Sequence, residues 1–267
     1  MEEIRLKLPR PMTSSHSTPR PEILGTPVDV VDYDSAVARC GTYVAQGGVW
    51  SITAANTHLV ALARNRPDFG AVMRGFDLVL PDGMPLIWSL RSGGFALRDR
   101  VYGPYFMERS LRDLPQSTRH FFFGGQPSTL EKLVSAATDL NPQIQIAGTL
   151  SPPFRTWTES DECSFAETIQ AANPDIIWVC LGGEKQERWI INNRARYTKG
   201  VFVGVGDAFA LLAGERPFAP MWMQQRGLTW LYRFMQEPGR LWQRFIKFNS
   251  LFLWYFFIDG LRGRAVR

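Results

Sequence analysis

A series of short apolar runs, each closed by a glycine-bearing or polar turn and followed by a helical segment, most constrains what this chain can fold into. The runs are Val49–Thr53, Leu78–Leu80, His120–Phe123, Ile144–Ala147, Asp175–Leu181 and Val201–Val205. Near-continuous apolar strands alternating with helices indicate a parallel sheet covered on both faces. In such folds the loops at one sheet edge converge, and ligands bind there. That edge is expected to carry Asn56, Asp82, Gly124, Gln186 and Asp207 together.

The segment Phe76–Trp88 is the sharpest of these units. Leu78–Leu80 reads as a buried strand that Pro81-Asp82-Gly83 breaks, with a helix to follow. Two readings of Asp82 stand side by side: a carboxylate held rigidly over the sheet edge as a general base, or a cap on the next helix. Asn56 and Thr57 likewise read either as caps of a helix running to Asn65 or as ligand contacts. Gly124-Gly125, Gly182-Gly183 and Gly206 end strands where backbone N–H groups can meet phosphate oxygens. In Arg98–Pro104, a charged loop closed by Gly-Pro, Arg100 is either paired with Asp99 or solvated.

Apolar residues make up 45% of the 267, enough for a sizeable core. The three cysteines show no framework spacing, which points to a reducing compartment. Three histidines argue against a His-rich metal site, and no cofactor or metal is expected. Net charge is +5, but the segment from Arg226 onward carries +6 and the remainder −1. A local basic segment implies an anionic partner. Residues 1–22 read as a disordered leader, 23–217 as the α/β domain and 218–267 as a helical, basic, aromatic appendage. Within it a helix is expected over Met221–Gln236, a second from Gly239 to about Phe248, and an interfacial anchor at Leu251–Ile258. The bland alternative is a terminal helix packed on the core.

The stretches AANTHLVALARNRPDFGAVMRGFDLVLPDGMPLIW, RVYGP, FFFGGQP, PDIIWVCLGGEKQERWI and the run from FVGVGDAFALLAGERPF through GRLWQRF resemble, in order, the WecG/TagA/CpsF proteins, glycosyltransferase family 26. The resemblance covers roughly residues 28 to 250. It implies a Rossmann-like fold and an inverting, metal-independent transfer of a sugar from a UDP-sugar, of N-acetylmannosamine or glucose type. The acceptor would be a polyprenyl-diphosphate-linked saccharide at the cytoplasmic membrane face, in cell-surface polysaccharide synthesis. The protein would then sit peripherally on an anionic membrane surface, with homo-oligomerisation open and nucleic acid not a partner. A nucleotide- or nucleic-acid-binding protein without transfer chemistry is the alternative.

By the same resemblance Asp82 is the general base. Asn56, Arg100 and Gln186 then hold the donor, and Arg233 and Arg240 grip the diphosphate; the turns themselves add Gly124, Gly125 and Gly206 to the donor set, and Thr53, Asp207 and Arg244 stand in where the chain departs from the family. The chain departs from the family pattern at three places. Ala54 stands where the family has Thr, with Thr53 one place earlier. Ala210 stands where it has Asp, with Asp207 three places earlier. Gln243-Arg244 replaces consecutive basic residues.

Overall fold

A computed structural model describes residues 18–261 and Val266, excepting the side chains at positions 225, 240–247, 260 and 261. The leader expected at 1–22 therefore lies outside the described residues as far as position 17. From there Arg20 donates to the Phe76 carbonyl at 2.6 Å and pairs with the buried Asp29 at 3.4 Å. A two-stranded hairpin follows, β1 (Glu22–Ile23) and β2 (Thr26–Pro27). Val266 bridges back to it at Ile23.

The main sheet has six strands: β3 (Val49–Ala55), β4 (Leu78–Pro81), β5 (Arg119–Gly124), β6 (Gln145–Leu150), β7 (Ile176–Cys180) and β8 (Gly200–Gly204). Their spatial order is β4-β3-β8-β7-β5-β6, and every pairing is parallel. The sheet's first strand, β3, thus lies between β4 and the last strand, β8. From β3 the chain steps outward to β4, then crosses the sheet; β5 leads outward to β6 and β7 leads inward to β8, so the direction of progression reverses between β5 and β7, an arrangement that opens a crevice at the carboxyl ends of the strands.

Helices cover both faces. They are α1 (Tyr33–Gln46), α2 (Thr57–Asn65), α3 (Pro67–Arg74), α4 (Met84–Ser92), α5 (Gly103–Asp113), α6 (Pro127–Leu140), α7 (Glu159–Ala172), α8 (Lys185–Asn193), α9 (Ala208–Leu212), α10 (Met221–Gln225), α11 (Thr229–Gln236) and α12 (Pro238–Leu261). Successive strand residues point to opposite faces, so β5 splits its aromatic run. Phe121 and Phe123 enter the core under α2, α3, α4, α7, α8 and α12, while Phe122 enters the core under α1, α5, α6 and α9. All three rings are at most 1% exposed, each worth about 1.5–3 kcal/mol of burial.

The Arg98–Pro104 loop ends at Tyr102, and α5 begins on the Gly-Pro that closes it, because Pro104 at the first turn suits a helix start and Phe106, Met107 and Leu111 supply a buried face. Two expectations are corrected. The helix expected over Met221–Gln236 divides at Arg226–Leu228, where Gly227 takes φ +72° against the Met84 side chain. The second helix and the Leu251–Ile258 segment form one helix, α12, with Pro238 tolerated at its first turn. One side of α12 packs on α2: Thr57 donates to Asn249 at 2.8 Å, Arg64 pairs with Asp259 at 3.2 Å, and Phe252 is 2% exposed. The packed-helix alternative thus holds for that side, whereas Leu253, Trp254 and Phe257 stay exposed. Among the described residues no helix is long and apolar enough to cross a membrane.

Gly124 ends β5 with φ +119°, and a Cβ there would stand 2.2 Å from the Cys180 carbonyl oxygen of β7. Gly124→Ala should therefore lower unfolding free energy by at least about 2 kcal/mol in urea titration. Gly25→Ala, strained in φ but in open space, should cost less.

Candidate active site

Asp82 is fixed from both sides. Its N–H donates to the Ala55 carbonyl at 2.8 Å, extending the β3–β4 ladder by one bond. Gly83, at φ +140°, then turns the chain into α4. The start of α4 has no side-chain cap, so the capping reading of Asp82 is corrected. Its carboxylate instead faces a cavity and accepts a long 3.5 Å bond from the Gly103 N–H. Burial pushes its pKa up from 3.8 to about 6, against the lowering pull of Arg100, the Gly103 N–H and Arg233; Asp207 adds to the rise.

Arg100 is neither solvated nor paired through its side chain with Asp99. Its backbone N–H donates to the Asp99 carboxylate at 2.7 Å. The guanidinium is buried, lies 4.7 Å from the Tyr102 ring centroid and donates to Thr229 Oγ1 at 2.6 Å. Thr229 opens α11, so the cation beside Asp82 is held by a residue from the C-terminal helices.

A second network lies under the cavity floor. Thr53 is fully buried and donates through Oγ1 to Glu187 Oε1 at 3.1 Å. Gln186 Nε2 donates to the same oxygen at 2.8 Å, and Gln186 Oε1 accepts from the Gly206 N–H at 3.1 Å. Gly204 makes room for this amide, since a Cβ there would sit 3.1 Å from Gln186 Nε2. Burial raises the pKa of Glu187. The Gly206 N–H, expected to face a phosphate, is thus occupied by Gln186. Asp207 pairs with Arg233 of α11 at 2.5 Å, and Arg216 pairs with Glu237 at 2.6 Å.

The cavity encloses about 380 Å³. It brings together Asn56, Asp82, Arg100, Gln186, Asp207 and Arg233, with Gly206 and the Gly182-Gly183 turn also on its wall. Asn56 caps α2 by accepting from the Leu59 N–H at 3.2 Å while lining the cavity, so its cap reading holds. Asp207 reaches the space from the turn after β8, three residues before Ala210. Gly125 is not on this wall. It borders a separate open basin of about 730 Å³ with Trp157 and Lys185, whose Nζ sits 3.8 Å from the Trp157 ring centroid. Arg240 and Arg244 lie on α12, with side chains outside the described residues.

Sequence reasoning missed Thr229, Tyr102 and Glu187. Nothing local marks Thr229. Glu187 had a signal: Ile190 and Ile191 stand three and four places later, which puts the carboxylate on an apolar helix face. Among the described residues no three His, Cys, Asp or Glu side chains converge as a metal-ligand set.

An acid whose folded pKa lies above its unfolded value binds the proton more tightly in the native state. Its ionisation therefore costs stability as pH rises from about 4 to 6. Asp82→Asn should accordingly raise stability at pH 7.5 by about 1–2 kcal/mol, discounted for the carboxyl's partial exposure to the cavity, and change it little at pH 4. Thermal melts at the two pH values check this.

The sequence model described as the glycosyl transferase WecG/TagA/CpsF family matches residues 21–266. One relative is the N-acetylglucosaminyldiphosphoundecaprenol N-acetyl-beta-D-mannosaminyltransferase of Bacillus subtilis strain 168. It is 29% identical over 197 residues, covering 73% of this chain and 74% of that protein. The enzyme of the same name from Bacillus spizizenii strain ATCC 23059 / NRRL B-14472 / W23 is 30% identical over 207 residues, covering 77% and 78%. With the match spanning nearly all of the described fold, this chain belongs to the WecG/TagA/CpsF family of glycosyltransferases.

Proposed function

We propose that this glycosyltransferase moves a sugar from a UDP-sugar onto a polyprenyl-diphosphate-linked saccharide, with inversion and with Asp82 as general base. The observation that carries the reading is the Asp82 carboxylate. It faces the cavity with a pKa near 6, beside Arg100 and the Arg233–Asp207 pair. In one step Asp82 takes the acceptor hydroxyl proton as that oxygen bonds to the anomeric carbon. The bond to UDP breaks on the opposite face, and its electron pair leaves with the diphosphate. A base near pH 6 is ionised at neutral pH yet still basic enough to accept the proton.

The leaving diphosphate gathers charge, and the cations at hand are Arg100 and Arg233, which supports a reaction that needs no metal. In this reading the nucleoside takes the basin that Gly125 and Lys185 border, and the diphosphate and sugar take the cavity that holds Asp82, Arg100 and Arg233. The names of the two relatives make N-acetylmannosamine the first donor sugar to test and N-acetylglucosaminyl-diphosphoundecaprenol the first acceptor.

The apolar rim supports a peripheral position on the cytoplasmic membrane face. Trp88, Trp230 and Leu253 line the cavity mouth and are 54%, 44% and 64% exposed. Trp254 and Phe257 extend that surface along α12, and the segment's +6 charge suits anionic headgroups.

UDP release from a panel of UDP-sugars with a short-chain polyprenyl-diphosphate-N-acetylglucosamine acceptor tests the chemistry. Wild-type kcat/KM should rise with pH through about 6 as Asp82 ionises. Asp82→Asn should lower turnover by about 10²–10⁴-fold with UDP affinity retained. Near-normal turnover would sink the assignment. Trp254→Glu/Phe257→Glu should reduce sedimentation with phosphatidylglycerol vesicles several-fold, and unchanged sedimentation would refute the membrane role of α12.

A further inference from the structure

Glu187 is an acid with no exposed surface that touches nothing in the cavity, yet it governs a residue that does. Its Oε1 receives two hydrogen bonds, from Thr53 on β3 and from Gln186 beside it. The amide of Gln186 has two orientations of nearly equal shape, and only one allows Nε2 to donate while Oε1 accepts from the Gly206 N–H. Removing the acceptor at position 187 frees the amide to rotate. In the rotated state two N–H groups face each other at Gly206, and the turn carrying Asp207 loses its tether. Gly206 takes φ +65°, so the backbone alone offers little resistance to displacement of that turn.

We propose that Glu187 is a positioning residue for donor binding: its carboxyl locks the Gln186 amide, and Gln186 in turn holds the Gly206–Asp207 turn on the cavity wall. This rests on the reading of the cavity as the donor site. It assigns Thr53 the same indirect part, since its hydroxyl serves Glu187 and the residue is off the cavity wall.

The test is UDP binding by calorimetry on the full-length protein, independent of transfer. Glu187→Met should weaken UDP at least tenfold, whereas Glu187→Gln, which keeps an oxygen acceptor, should stay within threefold of wild type. In a Gln186→Ala background, Glu187→Met should change UDP affinity no further. Equal weakening in both backgrounds, or none in either, would overturn the proposal.

A second pair covers the case in which Glu187→Met fails to fold. Gln186→Glu sets two carboxyls about 2.8 Å apart, so UDP affinity should fall at least tenfold from pH 5 to pH 8 beyond the wild-type change. Adding Glu187→Gln restores a donor–acceptor pair and should abolish that extra dependence. Absence of the dependence, or of its rescue, would overturn the proposal equally. Wild type that binds UDP with this coupling but transfers no sugar would refute the transferase reading and leave the positioning role standing.

Discussion

The site is built around a carboxylate kept ionisable in a place that burial makes hostile to charge, at a cost to the fold. Asp82 sits at the end of a buried strand, where the ladder bond from its N–H to Ala55 fixes the backbone. Burial alone would hold the proton on. Arg100, Arg233 and the Gly103 N–H oppose that, leaving a group poised near pH 6. Arg100 and the Gly103 N–H come from the stretch that opens α5 and Arg233 from α11, so the poise exists only when β4, that stretch and α11 are assembled together.

The assembly explains why the fold is the one it is. A parallel sheet gathers all its βα turns at one edge, which brings Asn56, Asp82, Gln186 and Asp207 within one cavity from positions scattered over 150 residues of sequence. Two tethers then cross from that edge to α11: Arg100 to Thr229, and Asp207 to Arg233. On the far side α12 is fastened to α2 through Thr57–Asn249 and Arg64–Asp259. The C-terminal helices are therefore structural members of the site as well as its outer wall.

Much of this was legible in the chain because its signals are local. Near-continuous apolar runs such as Phe121–Phe123 and Ile176–Val179 announce strands buried on both sides, and the turns after them announce the sheet edge. What was not legible depends on distance or on competition between local cues. Arg100 reads as a surface arginine because its partner is 129 residues away. The continuity of α12 is obscured by Pro238 and by the change from basic to aromatic composition, yet packing on α2 holds it as one helix. The close pass of β5 by the Cys180 carbonyl, which only a glycine at position 124 allows, likewise joins residues far apart in the chain.

Because α11 supplies both cover and charge to Asp82, its seating on the sheet edge is thermodynamically linked to a proton. Arg233 on α11 holds the proton affinity of Asp82 down, and any cover the helix gives acts the other way. By linkage, a change in how α11 is seated and a change in the protonation of Asp82 carry the same coupling free energy in both directions. Whatever presses on or loosens α11 from outside is therefore felt at Asp82 as a change in its proton affinity.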